Sequence, residues 1–365
     1  MPRSLKSIAL AFVRPALDAL VFGRHLPWPL RWRLLALQPI VFLTNSLAVG
    51  PYLFRRPYTV IHIPLGPERS LRALLFRHAS GTGTGRNGLR PLHVDCHAGG
   101  FVGGVPEASV PFCSLLAAET GAVVVALSYR LAPVHPFPAA IDDVDAALAW
   151  LRRHAAEELG ADPTLMTVSG ASAGGNLVLA ASQGIPSDEF AIRAAVTFYA
   201  PVDLRPRPED KPRPAAFPKR DPMSFMQLLY DSYAAPSREK DLDNPRLSPC
   251  LAREETLPER MLLVVAAVDI LVQEQLTFVE RVRREREDKR KPGGSVEAVY
   301  VEEAFHGWLE GELAISTPCH KRLADIDTVP NAVIPVEKKM QMWEKGLELI
   351  KQTHAQHGFA WKKVY

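Results

Sequence analysis

The feature that most constrains this chain is an alternation of short apolar runs, rich in β-branched and aliphatic residues, with helical patterns between the later ones. The candidate strands are Thr59 to Ile63, Leu71 to Phe76, Leu92 to Cys96, Val123 to Ser128, Met166 to Ser169, Ala194 to Tyr199, Met261 to Ala267 and Val296 to Val301. Ala139 to Leu159 carries apolar residues at three and four spacing and meets Gly160, a good residue to end a helix. Alternation of this kind predicts an α/β fold, with a mostly parallel sheet covered by helices on both faces. The chain has 365 residues, 47% of them hydrophobic, which is enough to bury a large core.

Charge excludes some classes of function. The 43 basic and 40 acidic residues nearly balance, so nothing overall points to nucleic acid. The basic run RVRREREDKRK (Arg281 to Lys291) is interleaved with acids and reads as a solvated helix end. Four cysteines, Cys96, Cys113, Cys250 and Cys319, lie far apart without a C-x-x-C pair, so reduced thiols are expected. The first apolar stretch is cut short by Arg14 and has no small-residue cleavage site, and the chain has no glycosylation sequon. An intracellular protein, cytoplasmic or on a membrane surface and not secreted, is the expectation. Nothing in the sequence fixes an oligomeric state.

One short stretch carries chemistry. In MTVSGASAGGNLV (Met166 to Val178), Gly170, Ser172 and Gly174 form G-x-S-x-G where a strand pattern ends and a helix pattern begins. Glycines there permit a strained elbow that lifts a serine hydroxyl clear of the sheet. The pattern alone is weak, since it arises by chance in roughly one chain of this length in ten. A serine also needs a base, and the base a third group to orient it. The run MLLVVAAVD ends in Asp269, and the next strand candidate leads to His306. Serine, then acid, then histidine, each behind a strand, is the order that such an elbow requires. Acyl transfer also needs N–H donors for the carbonyl oxygen. HVDCHAGGFVGG runs a strand into Gly99 and Gly100, whose amides are uncovered, and Ala173 adds an N–H at a helix start. A metal site from His93, Asp95, Cys96 and His97 is the rival reading of that strand, because period-two geometry puts His93, Asp95 and His97 on one face.

Together HAGGF, SYRLAPVHPFPAAIDDV, GASAGG, SPCLA, VDILVQE and FHGW, in that order between about Pro91 and His306, resemble the hormone-sensitive-lipase-like family of α/β-hydrolases. The resemblance implies an α/β-hydrolase fold, Ser172 as nucleophile, His306 as general base and then acid, and Asp269 as its orienter. Gly99, Gly100 and Ala173 would form the oxyanion hole, and a cap of N-terminal helices with a later insertion would roof the pocket. The implied activity is hydrolysis of a small or medium apolar carboxylic ester, a small-molecule substrate, with no metal or organic cofactor. Acyl transfer, thioester, amide or carbamate hydrolysis would use the same residues, and a non-catalytic ligand-binding relative is the rival from another class. The sequence departs from the family pattern at Ala98, Val134, Ala171, Ile270 and Gln273. Ala98 matters most, because an alanine forced to positive φ would strain the loop that presents the oxyanion amides.

Two further regions are set apart. Residues 1–56 form a basic, apolar segment before a catalytic domain at 57–365, which carries a proline-rich insertion at about 205–240. Leu34 to Phe54 is uncharged for 21 residues, and the first 33 residues hold six Arg or Lys against one acid. A helical cap, peripheral membrane contact and a membrane span each account for these residues. GTGTGRNG (Gly81 to Gly88) reads as a mobile connection, since no Lys-Ser/Thr closes it into a phosphate loop.

Overall fold

The computed structural model describes residues 27–363 except 79–80, 185–191, 216, 219–230, 290–293 and 310–333, together with residues 17, 20, 21 and 24. In chain order its strands are β1 (Thr59–Pro64), β2 (Ser70–Phe76), β3 (Gly81–Thr84), β4 (Arg90–Cys96), β5 (Val123–Leu127), β6 (Ala161–Ala171), β7 (Ile192–Phe198), β8 (Arg260–Val268), β9 (Ser295–Phe305) and β10 (Ala360–Lys363). Eight of them form one sheet in the order β1-β2-β5-β4-β6-β7-β8-β9. The β1–β2 and β2–β5 pairs are antiparallel, and every pair from β5–β4 to β8–β9 is parallel. Parallel strands bring their carboxyl ends to one edge, where crossover loops cluster and ligands bind in open α/β sheets.

Helices among the described residues include α1 (Trp28–Val49), α2 (Val110–Thr120), α3 (Ala139–Leu159), α4 (Ala173–Ser182), α5 (Val272–Asp288) and α6 (Val336–Gln356). One core forms where Leu92, Val94, Met166, Val168, Leu263 and Val265 meet α3, α4 and α5. The other forms where Val124, Val196, Phe198, Leu262 and Val264 meet α2 and α6. Both faces of the central strands are thus covered, which is why their sequences read as continuous apolar runs. Helix α3 has the expected bounds and ends at Gly160, at φ 58°.

Three expectations change. The glycine-rich GTGTGRNG is not simply a connection, because Gly81–Thr84 pairs antiparallel with Ala360–Lys363 from the far end of the chain. The basic run at Arg281 is not wholly solvated either. Arg286 is buried, donating to Glu254 at 3.0 Å and to the carbonyls of Pro258, Glu259 and Ser295. Those bonds supply what a buried guanidinium needs. Finally, β9 runs on to Phe305 through a bulge: Ala266 faces Val301 and Val268 faces Phe305, so four residues of β9 advance against two of β8, with Glu303 at φ 63°. Such a bulge bends a strand and re-aims the residues beyond it, and here the next residue after the strand is His306.

Candidate active site

Ser172 sits between β6 and α4 with φ 49° and ψ −121°, a conformation that strains any residue with a Cβ. Its neighbours make the turn sterically feasible. A Cβ on Gly170 would lie 2.4 Å from the Gly174 carbonyl carbon, and one on Gly174 would lie 1.9 Å from the Cys96 oxygen. The second contact has a wider consequence, since it seats the first turn of α4 directly against the end of β4, where the 97–104 loop begins.

The Ser172 Oγ lies 2.8 Å from His306 Nε2, and His306 Nδ1 lies 2.7 Å from Asp269 Oδ2. A carboxylate oxygen accepts and does not donate, so Nδ1 carries the imidazole proton and Nε2 is left to accept from the serine hydroxyl. The other carboxylate oxygen of Asp269 accepts the Leu271 N–H at 3.1 Å, which fixes the acid at the start of α5. Tyr199, buried and at φ 40°, sets its ring edge-on to the His306 imidazole at 5.1 Å. Ser172 and Asp269 are buried, while a third of the His306 side chain is exposed. The three side chains expected from the sequence are therefore joined by hydrogen bonds at the carboxyl edge of the sheet.

The 97–104 loop differs from expectation at one position. Positive φ falls on Gly99 (135°), Gly100 (59°), Phe101 (63°) and Gly104 (87°), and not on Ala98, so the methyl group there carries no left-handed strain. The loop folds tightly on itself, with the Gly99 carbonyl accepting the N–H groups of Val102 and Gly103 at 3.1 and 2.9 Å. A Cβ on Gly99 would meet the Gly103 oxygen at 2.0 Å, and one on Gly104 the Ala98 oxygen at 2.1 Å. His97 braces the loop. Its Nδ1–H donates to the Ala98 carbonyl at 2.6 Å, its ring stacks on Tyr129 at 4.3 Å, and the Tyr129 hydroxyl donates to the His97 carbonyl at 2.9 Å. Burial holds the His97 imidazole neutral, with its pKa down at about 4.

The long motif at Ser128 now has a physical reading. Arg130 donates its Nε to buried Asp143 at 2.9 Å, its own backbone N–H reaches the same carboxylate at 3.0 Å, and the Ala132 N–H holds the Phe101 carbonyl at 2.8 Å. The motif thereby fastens the far end of the 97–104 loop to the start of α3.

The rival metal reading meets a different chemistry. His93 and Asp95 do share a face of β4, but they are buried in the sheet and meet hydroxyl groups. The two ring nitrogens of His93 lie 2.8 Å from Thr167 Oγ1 and Ser169 Oγ, and Ser169 donates to Asp95 at 2.5 Å. Burial pushes the His93 pKa down to about 3 and that of Asp95 up to about 6. His97 lies past the strand end and faces Tyr129. Among the described residues no group of three or more His, Cys, Asp or Glu side chains is placed to hold a metal ion. The hydroxyl partners on β6 were missed in the sequence, where Thr167 and Ser169 look like ordinary strand residues.

Comparison with known proteins agrees with this architecture. A family model described as the alpha/beta hydrolase fold matches residues 93–310. The chain belongs to the α/β-hydrolase family. It is 31% identical over 261 residues to the carboxylic ester hydrolase LipN of Mycobacterium tuberculosis, an alignment covering 69% of this chain and 64% of LipN. It is 47% identical over 87 residues to the carboxylesterase NlhH of the same organism, covering 24% of this chain and 27% of NlhH. The chain thus spans less than two thirds of the curated relatives it matches. Among solved structures, a hyperthermophilic esterase from the archaeon Pyrobaculum calidifontis superposes with a TM-score of 0.65 at 23% identity, over 88% of this chain and 93% of that one, a likeness of fold.

Proposed function

We propose that this chain hydrolyses carboxylic esters, small or medium and apolar, through an acyl-enzyme on Ser172. His306 removes the proton from the Ser172 hydroxyl as its oxygen attacks the acyl carbon. Negative charge then develops on the carbonyl oxygen, and the backbone N–H groups of Gly99, Gly100 and Ala173 receive it. Asp269 keeps the imidazole in the right tautomer and stabilises the imidazolium. The tetrahedral intermediate collapses, the C–O bond to the alcohol breaks, and the alcohol takes the proton from His306. Water, deprotonated by the same nitrogen, attacks the acyl-serine, and the acid leaves with Ser172 restored.

The hydrogen-bonded line from Ser172 through His306 to Asp269 is the observation that carries this reading. The names of LipN and NlhH support the reaction class for those relatives, and the reading extends it to this chain. The test is hydrolysis of p-nitrophenyl esters of graded acyl length by the purified protein and by Ser172→Ala. Turnover that drops by roughly four orders of magnitude or more in the variant supports it. Equal rates for the two proteins would remove Ser172 from the mechanism. Product analysis with an added alcohol distinguishes water from an alcohol as the acceptor in the second half-reaction.

A further inference from the structure

Helix α1 is apolar around most of its circumference, and among the described residues its buried positions lie on one side. Leu34, Asn45, Ala48 and Val49 are buried, and Val41 touches the 97–104 loop, 3.6 Å from where a Cβ on Gly103 would stand. The opposite side presents Trp28 (67% exposed), Trp32 (49%), Phe42 (55%) and Leu43 (57%), with Pro39 exposed between them, at the three and four spacing of one helix face. At 1.5 Å per residue this stripe is about 22 Å long, and the turn beyond it adds Leu53 and Phe54, the latter 97% exposed. Large exposed apolar stripes mark interaction surfaces.

Charge indicates the occupant. Residues 19–67 contain five arginines, Arg24, Arg31, Arg33, Arg55 and Arg56, and neither lysine nor any acid. Arg24, before the stripe in the chain, and Arg55 and Arg56, after it, are exposed. A second copy of the chain would set this patch against itself in a twofold contact, arginine facing arginine with no acid from the segment to pair. Anionic headgroups relieve that repulsion, while tryptophan rings and aliphatic side chains enter the boundary of the acyl region. No helix among the described residues is long and apolar enough to cross a membrane, so the contact is one of lying on the surface. We propose that the outer face of α1, with Leu53 and Phe54, docks this protein on the surface of an anionic lipid bilayer. Docking there brings the 97–104 loop, against which α1 packs, close to the lipid. The docking proposal stands independently of the catalytic reading.

The test is co-sedimentation of the full chain with vesicles of phosphatidylcholine alone and with about one part in three phosphatidylserine, beside Phe42→Glu/Leu43→Glu and Arg55→Ala/Arg56→Ala. These side chains are exposed, and unchanged circular dichroism and an unchanged melting temperature verify that each variant is folded. The expected result is half-binding of the native chain to anionic vesicles at roughly tenfold less lipid than to neutral ones, or better. The glutamate variant stays in the supernatant and the arginine variant loses the anionic preference. The proposal is overturned if the native chain stays in the supernatant with both vesicle types, or if the glutamate variant pellets as well as the native chain. A vesicle-free dimer that the glutamate variant dissolves, in a protein that does not pellet, assigns the face to a second copy and overturns it equally.

Discussion

The turn at Ser172 and the loop at Gly99 are neighbours at the same sheet edge, and both depend on backbone that ordinary residues avoid. They distribute that burden differently. At the elbow the proposed working group is a hydroxyl, carried by a serine at φ 49°, and the glycines stand around it, at 170 and 174, where a Cβ would collide. In the loop the backbone amides are the proposed working groups. There the positive φ falls on Gly99 and Gly100 themselves, and on Phe101 beside them. Where the proposed working group is a side chain, glycine makes room for it; where it is the backbone, glycine carries it.

The two turns also have different footings. Below the elbow, β6 offers Thr167 and Ser169, which do not titrate. Below the loop, β4 offers His93 and Asp95, and the loop itself begins with His97, all three buried. The titrating groups stand on the loop side, but His93 and Asp95 bond the hydroxyls of β6, so acid loosens the footing of both turns.

The largest effect belongs to the side-chain half of this contrast. Asp269→Asn leaves the geometry in place but lets the amide favour the wrong imidazole tautomer, and kcat is expected to fall about 10⁴-fold with KM little changed. Steady-state kinetics on a p-nitrophenyl ester measures it, and a loss under tenfold would mean that Asp269 does not orient His306. Next comes the backbone half. Gly99→Ala puts a methyl group 2.0 Å from the Gly103 oxygen, so the loop must move and misaim its amides. A loss of about 10²–10³ in kcat is expected if one oxyanion donor is displaced. Gly174→Ala, colliding at 1.9 Å with the Cys96 oxygen, disturbs both turns together, and its melting temperature should fall where that of Asp269→Asn does not.

Smaller still is the response to acid. Burial holds the pKa values of His93, His97 and His354 down to about 3, 4 and 3, against 6.5 for the unfolded chain. Each takes up a proton on unfolding below about pH 6.5, so each favours unfolding as the pH falls towards its folded value. Asp95 acts in the opposite sense: its pKa is raised by burial to about 6, so between about pH 4 and 6 it holds a proton when folded and releases it on unfolding. Burial also raises the carboxyls of Glu274 and Asp145, which act with Asp95, but from pH 7 to 5 three imidazoles that each take up a proton on unfolding leave a net loss of stability on acidification. Urea midpoints at pH 5 and pH 7 test the sign, and a higher midpoint at pH 5 would contradict it.

The smallest effect is expected at Ala98. Since its φ is not positive, Ala98→Gly relieves nothing and only loosens the unfolded chain, by about 0.5–1 kcal/mol, with kcat within about threefold. A large gain in kcat would show that the methyl group restrains the loop after all.

Parts of this architecture were legible in the sequence for a physical reason. Ser172, Asp269 and His306 each come after an apolar run, and period and punctuation mark where such runs stop. Gly99 and Gly100 could be read because they sit where a strand pattern ends. The features that escaped depend on partners distant along the chain. Gly81–Thr84 has no apolar pattern, and it becomes a strand only because Ala360–Lys363 lies beside it. Arg286 looks like one more charge in a basic run until Glu254 and three carbonyls surround it. The bulge at Glu303 leaves no compositional mark, although it re-aims the chain into His306. The α3 pairing of Arg130 with Asp143 was visible as a motif, but its task of fastening the Phe101 end of the loop was not.

Everything proposed for catalysis depends on one oxygen being made nucleophilic by its neighbours. Intact-mass and peptide mass spectrometry after treatment with a fluorophosphonate ester tests it most directly. The expected result is one phosphonyl group per chain, on the peptide containing Ser172, with labelling slowed by orders of magnitude in His306→Ala. A protein that hydrolyses esters while Ser172 stays unlabelled, or that labels equally fast without the imidazole, would contradict the account.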